Sequence, residues 1–182
     1  MFTLVTSNKE KIHFAKLSLD QVGITFDSIT LPLVEIQADS PKEIILHKAD
    51  QAYAKLRRPV VVNDHWWNFP ALGGFPGPYM HFMNDHLTAE DLIQFMHGKT
   101  DRTAILTESI CYKDEKEMKV FFQERTGVVL SSPQGNGVPG QQVISLSGDG
   151  LSIATHLNRG TDPIGGGERA IWKELSIWLK GH

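Results

Sequence analysis

Only one cysteine, Cys111, occurs among the 182 residues. No intramolecular disulfide can form, which excludes a small stapled secreted scaffold. Long apolar runs are equally scarce. The first, Phe2-Thr3-Leu4-Val5, is too short for a signal-peptide core, and nothing elsewhere approaches a membrane span. Nor is there an excess of positive charge: 18 Lys and Arg stand against 21 Asp and Glu, a net charge of −3. Such a balance argues against a nucleic acid polymer as partner, because that binding depends on neutralising many phosphates. It leaves room for a small basic pocket that takes one nucleotide. Repeats, low-complexity tracts and long linkers are missing too. What remains is ordinary globular material, 41% hydrophobic and 21% charged. That suffices for one domain, or two small ones, with a real core. The expectation is a soluble cytoplasmic protein.

The apolar pattern predicts strands and helices in alternation over the first half. Phe2 to Thr6 reads as a strand, followed by a helix with Ile12, Ala15, Leu19 and Val22 on one face and Gly23 as its stop. Ile24 to Leu31 reads as a second strand. Ser40-Pro41-Lys42-Glu43 starts another helix, with Ser40 as cap, Pro41 at the first helical position and Glu43 completing a capping box. Ile45, Ala49, Ala52, Tyr53 and Leu56 form its apolar face. Val60-Val61-Val62 suits a buried strand that stops at Asn63-Asp64. The Gly/Pro-rich stretch Ala71 to Tyr79 must be a shaped loop. Thr88 to Asp91 caps a short helix, and Thr103–Tyr112 and Met118–Leu130 read as a hairpin turning at Asp114-Glu115-Lys116-Glu117. Ser131 to Gly150 holds one possible strand at Val143 to Leu146, and a last helix from about Glu168 to Leu179 buries Ile171, Trp172, Leu175 and Trp178. The fold class expected is α/β, a mixed central sheet flanked by helices.

Three places suggest chemistry. Asp64 follows a buried strand, where open α/β sheets gather ligands, although a turn or cap carboxylate explains the position as well. Thr6-Ser7-Asn8-Lys9-Glu10-Lys11 joins a strand end to a helix start. Its backbone N–H groups, its polar side chains and Lys11 make a workable phosphate seat, yet Ser7 or Asn8 as a simple helix cap fits equally. Glu35 and Lys48 read singly as a loop acid and a solvated helix lysine. Together with Asp64 they supply acids for Mg²⁺ and a cation for phosphate. His65-Trp66-Trp67 can stack on a base or pack on the loop. His81, Asp85 and His86 match no standard metal spacing, Cys111 belongs to a core, and Gly165-Gly166-Gly167 lacks the Lys-Ser/Thr ending of a phosphate loop.

Taken together, these residues resemble the inosine triphosphate pyrophosphatase family. Thr6-Ser7-Asn8-Lys9-Glu10-Lys11 looks like its Thr/Ser-x-Asn-x-x-Lys signature, and Glu35-Ile36-Gln37 with Glu43-Ile44 and Lys48-Ala49 looks like its Glu-x-Gln…Glu-Ile…Lys-Ala segment. The most specific match is Val60 to Asp64 followed by Ala71-Leu72-Gly73-Gly74-Phe75-Pro76-Gly77-Pro78-Tyr79. The resemblance implies one elongated domain over residues 1–182, with an active-site cleft between two lobes, and a homodimer. It also implies Mg²⁺-dependent hydrolysis of a nucleoside triphosphate to monophosphate and pyrophosphate, on non-standard purines. In that scheme Asp64 is catalytic, Glu35 and Asp64 hold the metal, and Thr6, Ser7, Asn8, Lys11 and Lys48 hold the triphosphate. Trp66 is the candidate for stacking on the base.

The chain also departs from the pattern. Asn63 stands where the family usually has a second acid, and His65-Trp66-Trp67 replaces small residues. The Gly-Phe-Gly-Tyr-Asp-Pro stretch falls on Asn136 to Gln142 without its aromatic and acid, and the Ser-His-Arg that reads the purine falls on Gly165 to Gly167. A non-catalytic relative that binds a nucleotide or a protein is therefore the competing expectation.

Overall fold

Apolar spacing and a capping residue coincide at the helix starts at Lys9, Pro41 and Ala89. In chain order the elements are β1 (Phe2–Val5), α1 (Lys9–Asp20), β2 (Phe26–Ile29), α2 (Pro41–Leu56) and β3 (Val60–Asn68). A 3-10 turn at Pro70–Leu72 leads to β4 (Pro76–Gly77), α3 (Met80–His86), α4 (Ala89–Phe95), β5 (Thr103–Lys113) and β6 (Met118–Val129). Then come α5 (Pro139–Val143), β7 (Ile144–Ser145), α6 (Ile153–Asn158) and α7 (Ala170–Lys180). The computed structural model describes residues 1–164 and 170–181. It divides into two compact units, Met1–His65 with Glu108–Gln123 and Glu168–His182, and Trp66–Thr107 with Glu124–Gly167.

In the first unit the strand order is β2–β1–β3–β5–β6. β1 runs parallel to both β2 and β3, with Val5 opposite Val62 as the last parallel pair of the latter. Alternation along the strands sends side chains to two apolar layers. Phe2, Leu4, Val61, Ile110 and Tyr112 pack against Ala15 and Leu19 of α1 and Ile171, Trp172 and Leu175 of α7. On the other side Val5, Val60, Val62 and Cys111 pack against Ile45, Ala49 and Ala52 of α2. The β5–β6 turn is organised by Asp114. One of its oxygens accepts the N–H groups of Lys116 and Glu117 at 2.8 and 2.9 Å, and the other accepts the Tyr112 hydroxyl at 2.9 Å.

The second unit has its own core, built from Phe69, Met80 and Met83 of α3, Leu92 and Met96 around α4, and Ala104, Val129 and Ile144. There β4 pairs antiparallel with β3, and β7 antiparallel with β6. The mixed sheet flanked by helices expected from the sequence is what forms.

Four local expectations are corrected. β3 does not stop at Asn63-Asp64 but continues to Asn68, because polar and aromatic residues also suit a strand that is only partly covered. Asp64 therefore lies within a strand, two residues past the last parallel pair of β1 with β3. Ser40 caps α2 through the Lys42 N–H at 3.2 Å rather than in a box with Glu43. The reciprocal box forms at Thr88 and Asp91 of α4 instead. Within Ser131 to Gly150 the strand is reduced to Ile144–Ser145 and follows a five-residue helix, α5, whose first turn Pro139 presets. Helices α3 and α6 were not legible in the sequence, and the Gly165 to Gly167 stretch and the helix start at Glu168 lie outside the described residues.

Trp172 and Cys111 give direct checks. Trp172 is fully enclosed, so Trp172→Ala should lower unfolding free energy by about 3–5 kcal/mol in urea titrations. Burial, with the Asp50 charge nearby, pushes the Cys111 thiol up to about 12. At pH 8 the folded protein should leave a thiol reagent unreacted and should release one equivalent on unfolding.

Candidate active site

Helix α2 carries a lysine on its buried stripe. Ile44, Ile45, Lys48, Ala49 and Ala52 all face inward, and Lys48 is only 9% exposed. A buried ammonium has to be paired, and two carboxylates meet it. Lys48 Nζ donates to Glu35 Oε1 at 2.6 Å and to Asp64 Oδ2 at 2.8 Å. Glu35 reaches this point because its loop is tied to α2. Gln51 accepts the Val34 N–H at 2.9 Å and donates to the Val34 carbonyl at 2.7 Å, and Lys55 donates to the Pro32 carbonyl. Lys48 is thus not a solvated helix lysine.

Asp64 is held at both oxygens. Oδ1 accepts the N–H of His65 at 2.9 Å and lies 3.8 Å from Lys11 Nζ, while Oδ2 belongs to Lys48. Lys11 comes from the first turns of α1 and also donates to the Asn63 carbonyl at 3.2 Å. Burial alone would raise the Asp64 carboxyl, but Lys11, Lys48 and the His65 N–H together hold it below the usual carboxylate range. Burial pulls Lys48 down, and the charges of Asp64 and Glu35 more than offset it, leaving it raised. At Lys11 burial wins over the attraction of Asp64 and the ammonium is lowered. Asp64 is therefore a carboxylate, and an ionised one, at neutral pH.

A second pair lies beside this cluster, and sequence reasoning missed half of it. Glu108 of β5 is 1% exposed, and its Oε1 lies 3.4 Å from Nε2 of His65. Burial and Lys11 lower the His65 imidazole despite Glu108, which favours the neutral ring. Ser109, next on β5, donates to the Asp64 carbonyl at 3.3 Å. The signal for Glu108 was an acid in the otherwise apolar phase of the strand, in step with Ala104, Leu106, Ile110 and Tyr112.

Of the residues expected at the site, the substrate-binding Lys11 and Lys48 and the metal-binding Glu35 and Asp64 form one continuous chain of ion pairs. Thr6 and Asn8 serve the start of α1. Thr6 Oγ1 accepts the Asn8 N–H at 3.1 Å, and Asn8 Oδ1 accepts from Glu10 and Lys11 at 2.8 and 3.2 Å. Ser7 is exposed beside them. Trp66 belongs to the second unit, where its ring packs against Gly77. Asn63 is 7% exposed, and its Oδ1 has no partner. Strand alternation sends its side chain to the face opposite that of Asp64. His81 and Asp85 are an exposed pair on α3, and Cys111 is core.

The donor chemistry suits magnesium. Glu35 and Asp64 present hard oxygens that meet at the Lys48 ammonium, and Mg²⁺ typically takes one or two carboxylates and completes its shell with water and phosphate oxygens. Among the described residues no group of three or more His, Cys, Asp or Glu is placed to cage an ion. The pair fits a metal that arrives with its phosphates.

Comparison with known proteins places the chain in a family. The sequence model of the Ham1 family matches residues 2–142. Inosine triphosphate pyrophosphatase 2 of Trypanosoma cruzi is 34% identical over 136 residues, 74% of this chain and 69% of that protein. A dITP/XTP pyrophosphatase of Thermococcus kodakarensis is 26% identical over 177 residues, 97% of this chain and 95% of its own. The Staphylococcus aureus Ham1 protein superposes with a TM-score of 0.76 at 20% identity, covering 100% of this chain and 99% of that one. With the family match spanning most of its length, this chain belongs to the Ham1 family.

Proposed function

We propose that this protein hydrolyses a nucleoside triphosphate to the monophosphate and pyrophosphate, with Mg²⁺ as cofactor. One observation carries the reading: a buried ammonium, Lys48, is clasped by Glu35 and Asp64, while a second, Lys11, stands at the other oxygen of Asp64. Phosphoryl chemistry asks for concentrated positive charge and an aligned water more than for a covalent nucleophile, and that is what these residues offer. Lys11 and Lys48 offset the charge of the triphosphate. Asp64, kept ionised, orients a water and takes its proton as the oxygen attacks the α-phosphorus. The bond from the α-phosphorus to its bridging oxygen breaks, and pyrophosphate leaves. Glu35 and Asp64 would hold the metal, which when bound supplies further neutralisation of the phosphates.

The names of the relatives support a non-standard purine as the base. Thr6, Ser7 and Asn8 are assigned to the triphosphate through the start of α1, and Trp66 to the base on the chemistry of its ring. A homodimer, which rests on family likeness, and a cytoplasmic setting, which rests on the single cysteine and the short apolar runs, are further parts of the reading. No described helix is long and apolar enough to cross a membrane. The competing reading, a relative that binds a nucleotide or a protein without turnover, rests on the uncharged Asn63 and on the departures at Asn136 to Gln142 and Gly165 to Gly167.

With Mg²⁺ and a panel of purine, pyrimidine and deaminated triphosphates, pyrophosphate release should be fastest for the deaminated purines and should stop when the metal is chelated. Asp64→Asn should lower kcat about 10²–10⁴-fold with the circular dichroism spectrum unchanged, and Lys48→Met should lower kcat/KM by at least about tenfold. No release from any triphosphate would leave the binding reading in possession. Undiminished release by Asp64→Asn would remove Asp64 from its role.

A further inference from the structure

The reaction depends on where the Asp64 carboxylate points, and the neighbouring strand has two adjacent residues that decide it. Ser109 Oγ donates to the Asp64 carbonyl at 3.3 Å. Glu108, on the opposite face of β5, has Oε1 3.4 Å from Nε2 of His65. The backbone N–H of that same His65 donates to Asp64 Oδ1 at 2.9 Å. The dipeptide Asp64-His65 is therefore gripped from both faces of the sheet, by its carbonyl on one side and by its imidazole on the other.

We propose that Glu108 is a positioning residue for the active site, acting through His65 to set the carboxylate of Asp64, with Ser109 as the second anchor. The inference rests on Asp64 being the carboxylate that aligns the water. A carboxylate at 1% exposure is costly to keep without a defined partner. With the Glu108 carboxylate 3.4 Å from Nε2, the imidazole proton is favoured on Nε2 and the rotation of His65 is restrained. The restraint passes one residue back along the strand, since the N–H that meets Oδ1 belongs to the same residue as the ring. Glu108 itself touches neither Lys48 nor Glu35 in the ion-pair chain. Its charge does act on Lys11, so its removal should misplace the water-aligning oxygen while leaving the Lys48 pairing in place. Misplacements of that kind are felt in the chemical step.

The test uses the full chain with Mg²⁺ and inosine triphosphate. Glu108→Met and His65→Asn should each lower kcat about 10–100-fold, while KM changes by much less, because Lys48 keeps both its partners. The double variant should be no slower than the slower single, as expected when two residues act in series. Glu108→Gln, which keeps an acceptor oxygen for the ring, should recover most of the loss. A second readout needs no turnover: long-range ¹H–¹⁵N spectra should show the His65 proton on Nε2 in the unmodified protein, and Glu108→Met should abolish that preference. Losses that simply add in the double variant, a change confined to KM, or a His65 tautomer indifferent to Glu108 would overturn the assignment. If the unmodified protein turns over no triphosphate, the spectra alone decide. A Glu108-dependent Nε2 proton then supports the link, and the fault lies with the pyrophosphatase reading.

Discussion

A lysine on the sheet-facing side of a helix must be neutralised, because an unpaired buried ammonium is too costly to keep. Lys48 is such a lysine, and much of the first unit can be understood as the means of satisfying it. The loop before α2 is tied down by Gln51 so that Glu35 arrives from one side. β3 carries Asp64 past the end of its parallel pairing with β1, so that the second carboxylate arrives from the sheet. Lys11 then stands near the other oxygen of Asp64, beside the His65 N–H, and helps keep that carboxylate ionised. An arrangement whose cations and anions satisfy one another in the resting protein can accept a polyanion by exchanging partners, with no need for unpaired charge to wait in a low-dielectric site.

The two apolar layers make this geometry dependable. Ile45, Ala49 and Ala52 fix the rotation of α2 on the sheet, and Ala15 and Leu19 fix α1, the helix that presents Lys11. Each charged side chain thus leaves a backbone whose position is set by packing a turn or less away. The same logic holds for β5, where Ile110 and Tyr112 lock the strand that carries Glu108 and Ser109.

Much of this was legible in the sequence, and for physical reasons. Strands with strong apolar runs and helices with a cap were read correctly, since Ser40-Pro41 and Thr88 mark their own positions. The β5–β6 turn was legible because Asp114 both breaks the strand and organises the turn. The end of β3 was misread because His65, Trp66, Trp67 and Asn68 lack the alternation that marks a half-buried strand. Helices α3 and α6 are too short for their periodicity to stand out. Within the site, family likeness singled out Glu35, Lys48, Lys11 and Asp64, but only coordinates could show that they touch. Lys48 carried a signal that propensity alone did not weigh, a charge in the phase of Ile45 and Ala52. Glu108 carried the same signal on β5. A charged residue in an apolar phase implies a partner elsewhere in the chain, and nothing in one sequence says where.

The account stands or falls on which phosphorus the water attacks. The direct measurement is to let the protein turn over inosine triphosphate with Mg²⁺ in ¹⁸O-enriched water and to follow the products by ³¹P NMR and mass spectrometry. Attack at the α-phosphorus, as the account requires, places one ¹⁸O in the monophosphate and none in the pyrophosphate. Label in pyrophosphate, or release of a diphosphate with labelled inorganic phosphate, would contradict it.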